Sequence, residues 1–193
     1  DGSAEAVLTQ VRELIHSLDK SRPVSGASNG AKIKLNAVPD VLGMNLYPGW
    51  YGMSASQMGA VIENACQTNR RSTVAISEYG AGASVFQHGD VLERCKPQSD
   101  WHTEEYQAYF HSEAYRHIKN NPKVWGSFTW VMFDLASDSR HEGDRYGIND
   151  KGLITRDRVV KKDAYWFYRS NWKSDERILH LVGSRMQTVK SET

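Results

Sequence analysis

The sequence predicts an α/β fold in which a parallel sheet is covered by helices. Three observations carry this. Segments of helical apolar spacing alternate with short apolar strands, in the order of one helix followed by four strand–helix units. A lone carboxylate, Glu78, closes the short strand Thr73-Val74-Ala75-Ile76 and is followed by Tyr79-Gly80-Ala81-Gly82. That is where chemistry sits in a parallel barrel, at the point where a strand gives way to a loop. Finally, 193 residues suffice for one ordinary domain, yet fall short of the roughly 250 that a complete eight-unit barrel takes.

The elements follow in order. Val7, Leu8, Val11, Leu14, Ile15 and Leu18 recur at helical spacing, with Ser3 available as a cap. Pro23 disfavours helix in the residue before it, and Pro23 to Ser28 reads as a short strand running into a loop. Val41 to Tyr47 is a second strand, closed by Pro48-Gly49. Met58, Val61, Ile62 and Ala65 mark the next helix, capped by Ser54 or Ser56. The strand bearing Glu78 comes next. A polar loop runs from Ser84 to His102, and loops longer than about 15 residues inside a domain are usually functional or mobile. Thr103 with Glu104 and Glu105 makes a favourable helix start. The buried stripe of that helix is Tyr106, Tyr109, Phe110, Ala114, His117 and Ile118, and Asn120-Asn121-Pro122 ends it. Val124 to Phe133 is the strongest strand. A charged loop from Asp138 to Asp150 precedes a last helix through Ala164, Phe167 and Tyr168 to Trp172. Ile178 to Val182 then reads as an isolated strand. Residues 173–193 are expected to be a linker and the start of a following β domain, or else a disordered tail.

Composition narrows the function. The formal charge is +1, from 24 basic and 23 acidic residues well mixed along the chain. No basic stripe points to nucleic acid, and no apolar run reaches the roughly 18 residues of a membrane span. Cys66 and Cys95 lack metal-ligand or redox spacing and read as free thiols. His88, His102 and His141 fall in loops without ligand spacing. The chain opens at Asp1 without Met, so the absence of a visible signal peptide leaves cytoplasmic, periplasmic and secreted locations all open. Glu78 itself is either a nucleophile or an ionised, solvated residue at a loop edge.

Four strings occur in order: Asn45-Leu46-Tyr47-Pro48-Gly49-Trp50-Tyr51, Ser77-Glu78-Tyr79-Gly80, Trp125-Gly126-Ser127-Phe128-Thr129-Trp130 and Gly147-Ile148-Asn149-Asp150-Lys151-Gly152-Leu153. Together they resemble the second half of the catalytic barrel of glycoside hydrolase family 2, the β-galactosidase and β-glucuronidase group, over residues 1–172. The loop from Phe133 to Asp144 looks more like the β-galactosidase branch. The resemblance implies a partial (β/α)8 TIM barrel, roughly strands five to eight with their helices. It also implies a retaining exo-β-glycosidase acting on terminal β-galactosides, with a carbohydrate as partner and no cofactor. A β-glucuronidase and a non-catalytic carbohydrate-binding barrel are the alternatives.

On this resemblance Glu78 ends strand seven as the nucleophile, and Tyr47 ends strand six beside it. Trp130 lines the sugar site from strand eight, or is plain core. Trp125 belongs to the core, while Trp50 and Tyr51 border outer subsites. Asn149 and Lys151 match the place where glucuronidases grip a sugar carboxylate, or form a solvated turn. Asp134 and Glu142 either bond sugar hydroxyls or face water, and Glu142 is the one substitute acid the chain offers. The family's acid/base glutamate lies in an Asn-Glu pair at the end of strand four, and no such dipeptide occurs here. Its expected place is upstream of Asp1, as are the ligands of the Mg²⁺ some family galactosidases carry, so no metal is expected. These residues alone are then expected to be inactive, and the open edges of half a barrel to invite self-association.

Overall fold

The computed structural model describes residues 2–30, 33–70, 72–89, 94–119 and 121–185. Helix α1 is Gly2–Leu18, followed by strands β1 (Ser25–Ser28) and β2 (Val41–Asn45), helix α2 (Met58–Thr68) and strand β3 (Thr73–Tyr79). Helix α3 (Glu104–Lys119), strand β4 (Val124–Thr129), hairpin strands β5 (Leu135–Glu142) and β6 (Arg145–Asn149) and helix α4 (Asp163–Trp172) complete the order.

Strands β1 to β4 form one parallel sheet in sequence order, with Ser25 opposite Val41, Val41 opposite Thr73 and Val74 opposite Val124. Parallel neighbours need a crossover, and α2 and α3 supply it between β2 and β3 and between β3 and β4. Four parallel strands backed by helices are half the complement of an eight-stranded barrel. The expected helix between β1 and β2 is not found among the described residues. A 3-10 turn, Lys34–Ala37, stands there; the connection is short and carries Pro39, which leaves no room for a helical stripe.

The core lies between sheet and helices, where Leu42, Met44, Ile76 and Tyr79 meet Ile62, Phe110, Ala114 and Tyr168. Ser54 caps the 3-10 turn Ala55–Gln57 that runs into α2, and Gln57 completes a capping box. The Thr103 hydroxyl accepts the Tyr106 N–H at 3.4 Å and starts α3. Burial on α3 extends beyond the expected stripe to Glu104 and His111, which meet α4, and to Glu105 and Gln107, which bond the loop after β3, while Tyr109 and His117 are half-buried. Asn120 lies outside the described residues.

Several expectations are corrected. Ser3 lies inside α1, which begins at Gly2. None of the residues of α1 is buried; its apolar stripe borders an open cleft of about 590 Å³ against β1 and the residues following it. Arg12 and His16 tie the helix to Asp40 at the foot of β2. Trp125 is 50% exposed rather than core: β4 ends the sheet, and no described layer packs on that ring. The charged loop of 138–150 is largely an antiparallel hairpin, with Glu142 opposite Arg145. Its two-residue turn is Gly143-Asp144, with φ +67° at Gly143, the position that a II′ turn reserves for glycine.

Residues 178–182 form no strand. The chain after α4 instead folds back on the helices. His180 stacks on Trp166 and bonds Asp163 at 2.7 Å, and Arg185 pairs with Glu104. Polar partners hold this segment where a strand would need a neighbouring ladder.

Candidate active site

A cavity of about 510 Å³ opens at the C-terminal ends of the strands. Tyr47, Tyr51, Glu78, Trp130, Arg140 and Asn149 line it. Each arrives from a different segment. Tyr47 lies two residues past β2, Glu78 is the penultimate residue of β3, Trp130 follows β4, and the hairpin delivers Arg140 and Asn149.

A register shift after Met44 sets Asn45 opposite Glu78, and Ser77 Oγ donates to Asn45 Oδ1 at 2.6 Å. Beyond Glu78 the backbone of β3 closes on the end of β4. Trp130 N–H donates to Tyr79 O at 2.8 Å. A Cβ at Gly80 would stand 2.1 Å from Trp130 O, so glycine is required for the two loops to leave the sheet together. The Trp130–Val131 peptide bond is cis.

The central contact is Tyr47 Oη donating to Glu78 Oε2 at 2.8 Å. Burial, and then that bond to Glu78, push the Tyr47 phenol far above the ordinary tyrosine range. It therefore stays protonated and keeps its donor role. The Tyr51 ring meets Tyr47 edge-on at 5.2 Å and is itself 52% exposed, at the cavity rim. Trp130 is half-buried and turns into the same space.

Of the six residues singled out from sequence, Glu78, Tyr47, Trp130 and Asn149 come together here. Lys151 stands behind the lining. Its side chain is 1% exposed, with Nζ 5.0 Å from the Trp50 ring centroid and 5.6 Å from that of Tyr51. Asn149 Oδ1 accepts the Lys151 N–H at 3.2 Å and so shapes the turn. Trp50 is fully buried, over Lys151 and edge-on to His102, rather than bordering a subsite.

Asp134 does not line the cavity. Its Oδ1 accepts Lys162 Nζ and the Gly152 N–H, each at 2.8 Å. Burial lifts its carboxyl to about 6 although Lys162 pulls the other way. Lys162, wholly buried, also donates to Ala83 O at 2.6 Å and to Asp150 O at 2.8 Å. One ammonium thus pins the loop after β3 to the turn that carries Asn149 and Lys151. His102 braces the same turn through Asp150 at 2.6 Å, with both groups out of solvent. Residues 90–93 of that long loop lie outside the described residues.

Arg140, Lys162 and the His102–Asp150 pair are functional or supporting residues that sequence reasoning missed. The turn signal Glu142-Gly143-Asp144-Arg145 would have revealed the hairpin that brings Arg140 in. Lys162 carried no signal of its own, since a lysine before a helix usually faces water. Among the described residues no group of three His, Cys, Asp or Glu is placed to hold a metal ion, and no helix is long and apolar enough to cross a membrane.

Comparison with known proteins adds to this geometry. Residues 2–174 match the sequence model of the family described as "Glycosyl hydrolases family 2, TIM barrel domain". A β-glucuronidase of Bacteroides fragilis is 41% identical over 167 residues, 86% of this chain and 24% of that protein. Human β-glucuronidase is 29% identical over 192 residues, 93% of this chain and 28% of its own length. Among solved structures, an FMN-binding β-glucuronidase from Faecalibacterium prausnitzii superposes with a TM-score of 0.86 at 30% identity, over 94% of this chain and 28% of that one. A putative β-galactosidase from Bacteroides fragilis gives 0.87 at 29% identity, over 94% and 27%. The chain therefore spans about a quarter of the length of the relatives it matches.

Proposed function

The chain belongs to glycoside hydrolase family 2, and from that premise we propose that it forms strands five to eight of the catalytic barrel of a retaining exo-β-glycosidase. Residues 1–172 are assigned to the barrel and 173–193 to the connection beyond it. Glu78 is the nucleophile, and Tyr47 holds and orients it. The observation that carries this is the 2.8 Å bond between Tyr47 Oη and Glu78 Oε2 inside a cavity with an aromatic wall. In such a reaction the carboxylate attacks the anomeric carbon while a second carboxyl group about 5–5.5 Å away protonates the leaving oxygen. The resulting glycosyl ester is then hydrolysed by water that the second group deprotonates. Glu142 is paired with Arg140 and is not in the lining of the cavity. The second carboxyl group is assigned to a part of the polypeptide outside these residues.

The substrate is a terminal β-galactoside, since Lys151 is sealed behind aromatic rings and already faces a carboxylate. A β-glucuronide is the second reading, favoured by the 41% identity to a protein named β-glucuronidase and by Asn149 in the cavity wall. Trapping the complete enzyme with a 2-deoxy-2-fluoro glycoside, followed by peptide mapping, tests the assignment. The label is expected on Glu78, and a label on any other side chain overturns it.

A further inference from the structure

Two cations converge on one oxygen beside the catalytic cavity. Arg140, in the lining with Glu78 and Tyr47, hydrogen-bonds Glu142 Oε1, and Lys151 Nζ stands 3.7 Å from the same atom. Glu142 is 7% exposed, and Lys151 Nζ has no hydrogen-bond partner among the described residues. Glu142 ends β5 and stands opposite Arg145 across the tight turn of the hairpin whose second strand ends at Asn149. This carboxylate is therefore held by the fold, at the back of the sugar site.

We propose that Glu142 is a specificity-determining residue that occupies, from within the protein, the position a substrate carboxylate would take, and so reserves the site for neutral sugars. The inference rests on the glycosidase reading above and deepens it. Arg140 and Lys151 already share Glu142 as a counter-charge before a substrate arrives. A hexuronide brings another carboxylate. It must either displace Glu142 from Arg140, leaving a buried carboxylate short of a partner, or lie beside it and be repelled. A hexoside, with a hydroxymethyl group in that place, meets neither penalty. Removing only the charge at position 142 frees Arg140, which lines the cavity, from its carboxylate partner, and a free cation there is what a uronate needs.

The test uses the complete polypeptide that carries this chain and compares kcat/KM for 4-nitrophenyl β-D-galactoside and β-D-glucuronide. The wild type is expected to prefer the galactoside. Glu142→Gln is expected to raise the glucuronide-to-galactoside ratio at least tenfold, mainly through KM for the glucuronide, and Glu142→Asp to restore the wild-type preference. A Gln variant that loses both activities equally, or whose ratio falls, overturns the inference by making Glu142 a mere support for Lys151. A second measurement needs no variant: wild-type turnover should be inhibited by galactono-lactone and not by glucaro-lactone at equal concentration. Stronger inhibition by the acidic lactone overturns the proposal. No turnover of either glycoside, together with no fluoro-sugar label on Glu78, overturns the underlying reading and this inference with it.

Discussion

Tyr47 and Glu78 are 31 residues apart in sequence and 2.8 Å apart in space. The shift that sets Asn45 opposite Glu78 brings them together. Their bond joins the ends of two adjacent parallel strands, where a barrel enzyme keeps its chemistry.

Replacing Tyr47 by Phe removes the donor and keeps the ring. The expected loss is about 10² in kcat, comparable to deleting one preorganised donor at a reacting oxygen, with folding stability lowered by only about 1 kcal/mol. Glu78→Gln is expected to abolish turnover while leaving the thermal midpoint close to wild type. Steady-state kinetics with parallel melting curves separate the two effects. A Tyr47→Phe enzyme with unchanged kcat would remove Tyr47 from the mechanism.

Stability should fall on mild acidification, and His111 gives the reason. Its ring is fully buried between Phe110, Tyr79 and Tyr168 and bonds Tyr168 Oη at 2.9 Å. Burial, and then the charge of Lys162, depress its pKa from 6.5 to about 3. Above pH 6.5 the ring is neutral in both folded and unfolded chains, and its stabilising contribution is complete. Below that the unfolded chain takes up a proton that the folded one refuses, so stability declines until pH reaches about 3. At pH 5.5 the loss is about 1.4 kcal/mol. Melting curves at pH 7.5 and 5.5 measure it, and His111→Gln should flatten the difference. An equal drop in the variant would assign the acid sensitivity elsewhere.

The Lys162–Asp134 pair is structural, and its removal should be costly only when one-sided. Lys162→Met leaves Asp134 buried with a single donor and strips the ammonium from Ala83 O and Asp150 O. Breaking a buried pair in this way costs about 3–5 kcal/mol. Adding Asp134→Asn to Lys162→Met should recover a good part of that loss. Denaturant titration of the two single variants and the double variant closes the cycle, and strict additivity would show that the pair is not coupled.

How much of this was legible in the sequence follows from the kind of information each residue needed. Glu78, Tyr47 and Trp130 sit at strand ends, and alternation of elements together with the order of the strings is enough to place strand ends. Asn149 and Lys151 were found together, yet only one faces the cavity. Their separation depends on the twist of a hairpin and on two rings from the loop after β2, neither of which is a local property. Asp134 was misplaced for a related reason: a carboxylate next to a strand end can turn either way, and the partner that turns it, Lys162, lies 28 residues further on. Trp125 failed as a core residue because sequence pattern records that a strand is apolar, not whether a layer lies on it.

The uncovered layer leads to a last prediction. Helix α1 presents Leu8, Val11 and Ile15, 42%, 46% and 40% exposed, to the apolar cleft along β1. At the other end of the sheet β4 is an edge strand without a further neighbour among the described residues, with Trp125 and Phe128 half exposed. An apolar stripe next to an open cleft is a surface that association would bury, and an unpaired strand edge templates it. The 193-residue chain on its own is therefore expected to self-associate, with light scattering giving a mass of at least two chains. Ile15→Lys with Val11→Glu should shift it toward monomer, since both side chains line that cleft. A wild-type chain that is monomeric across the micromolar range and unfolds cooperatively would mean that these faces are stable in water as they stand.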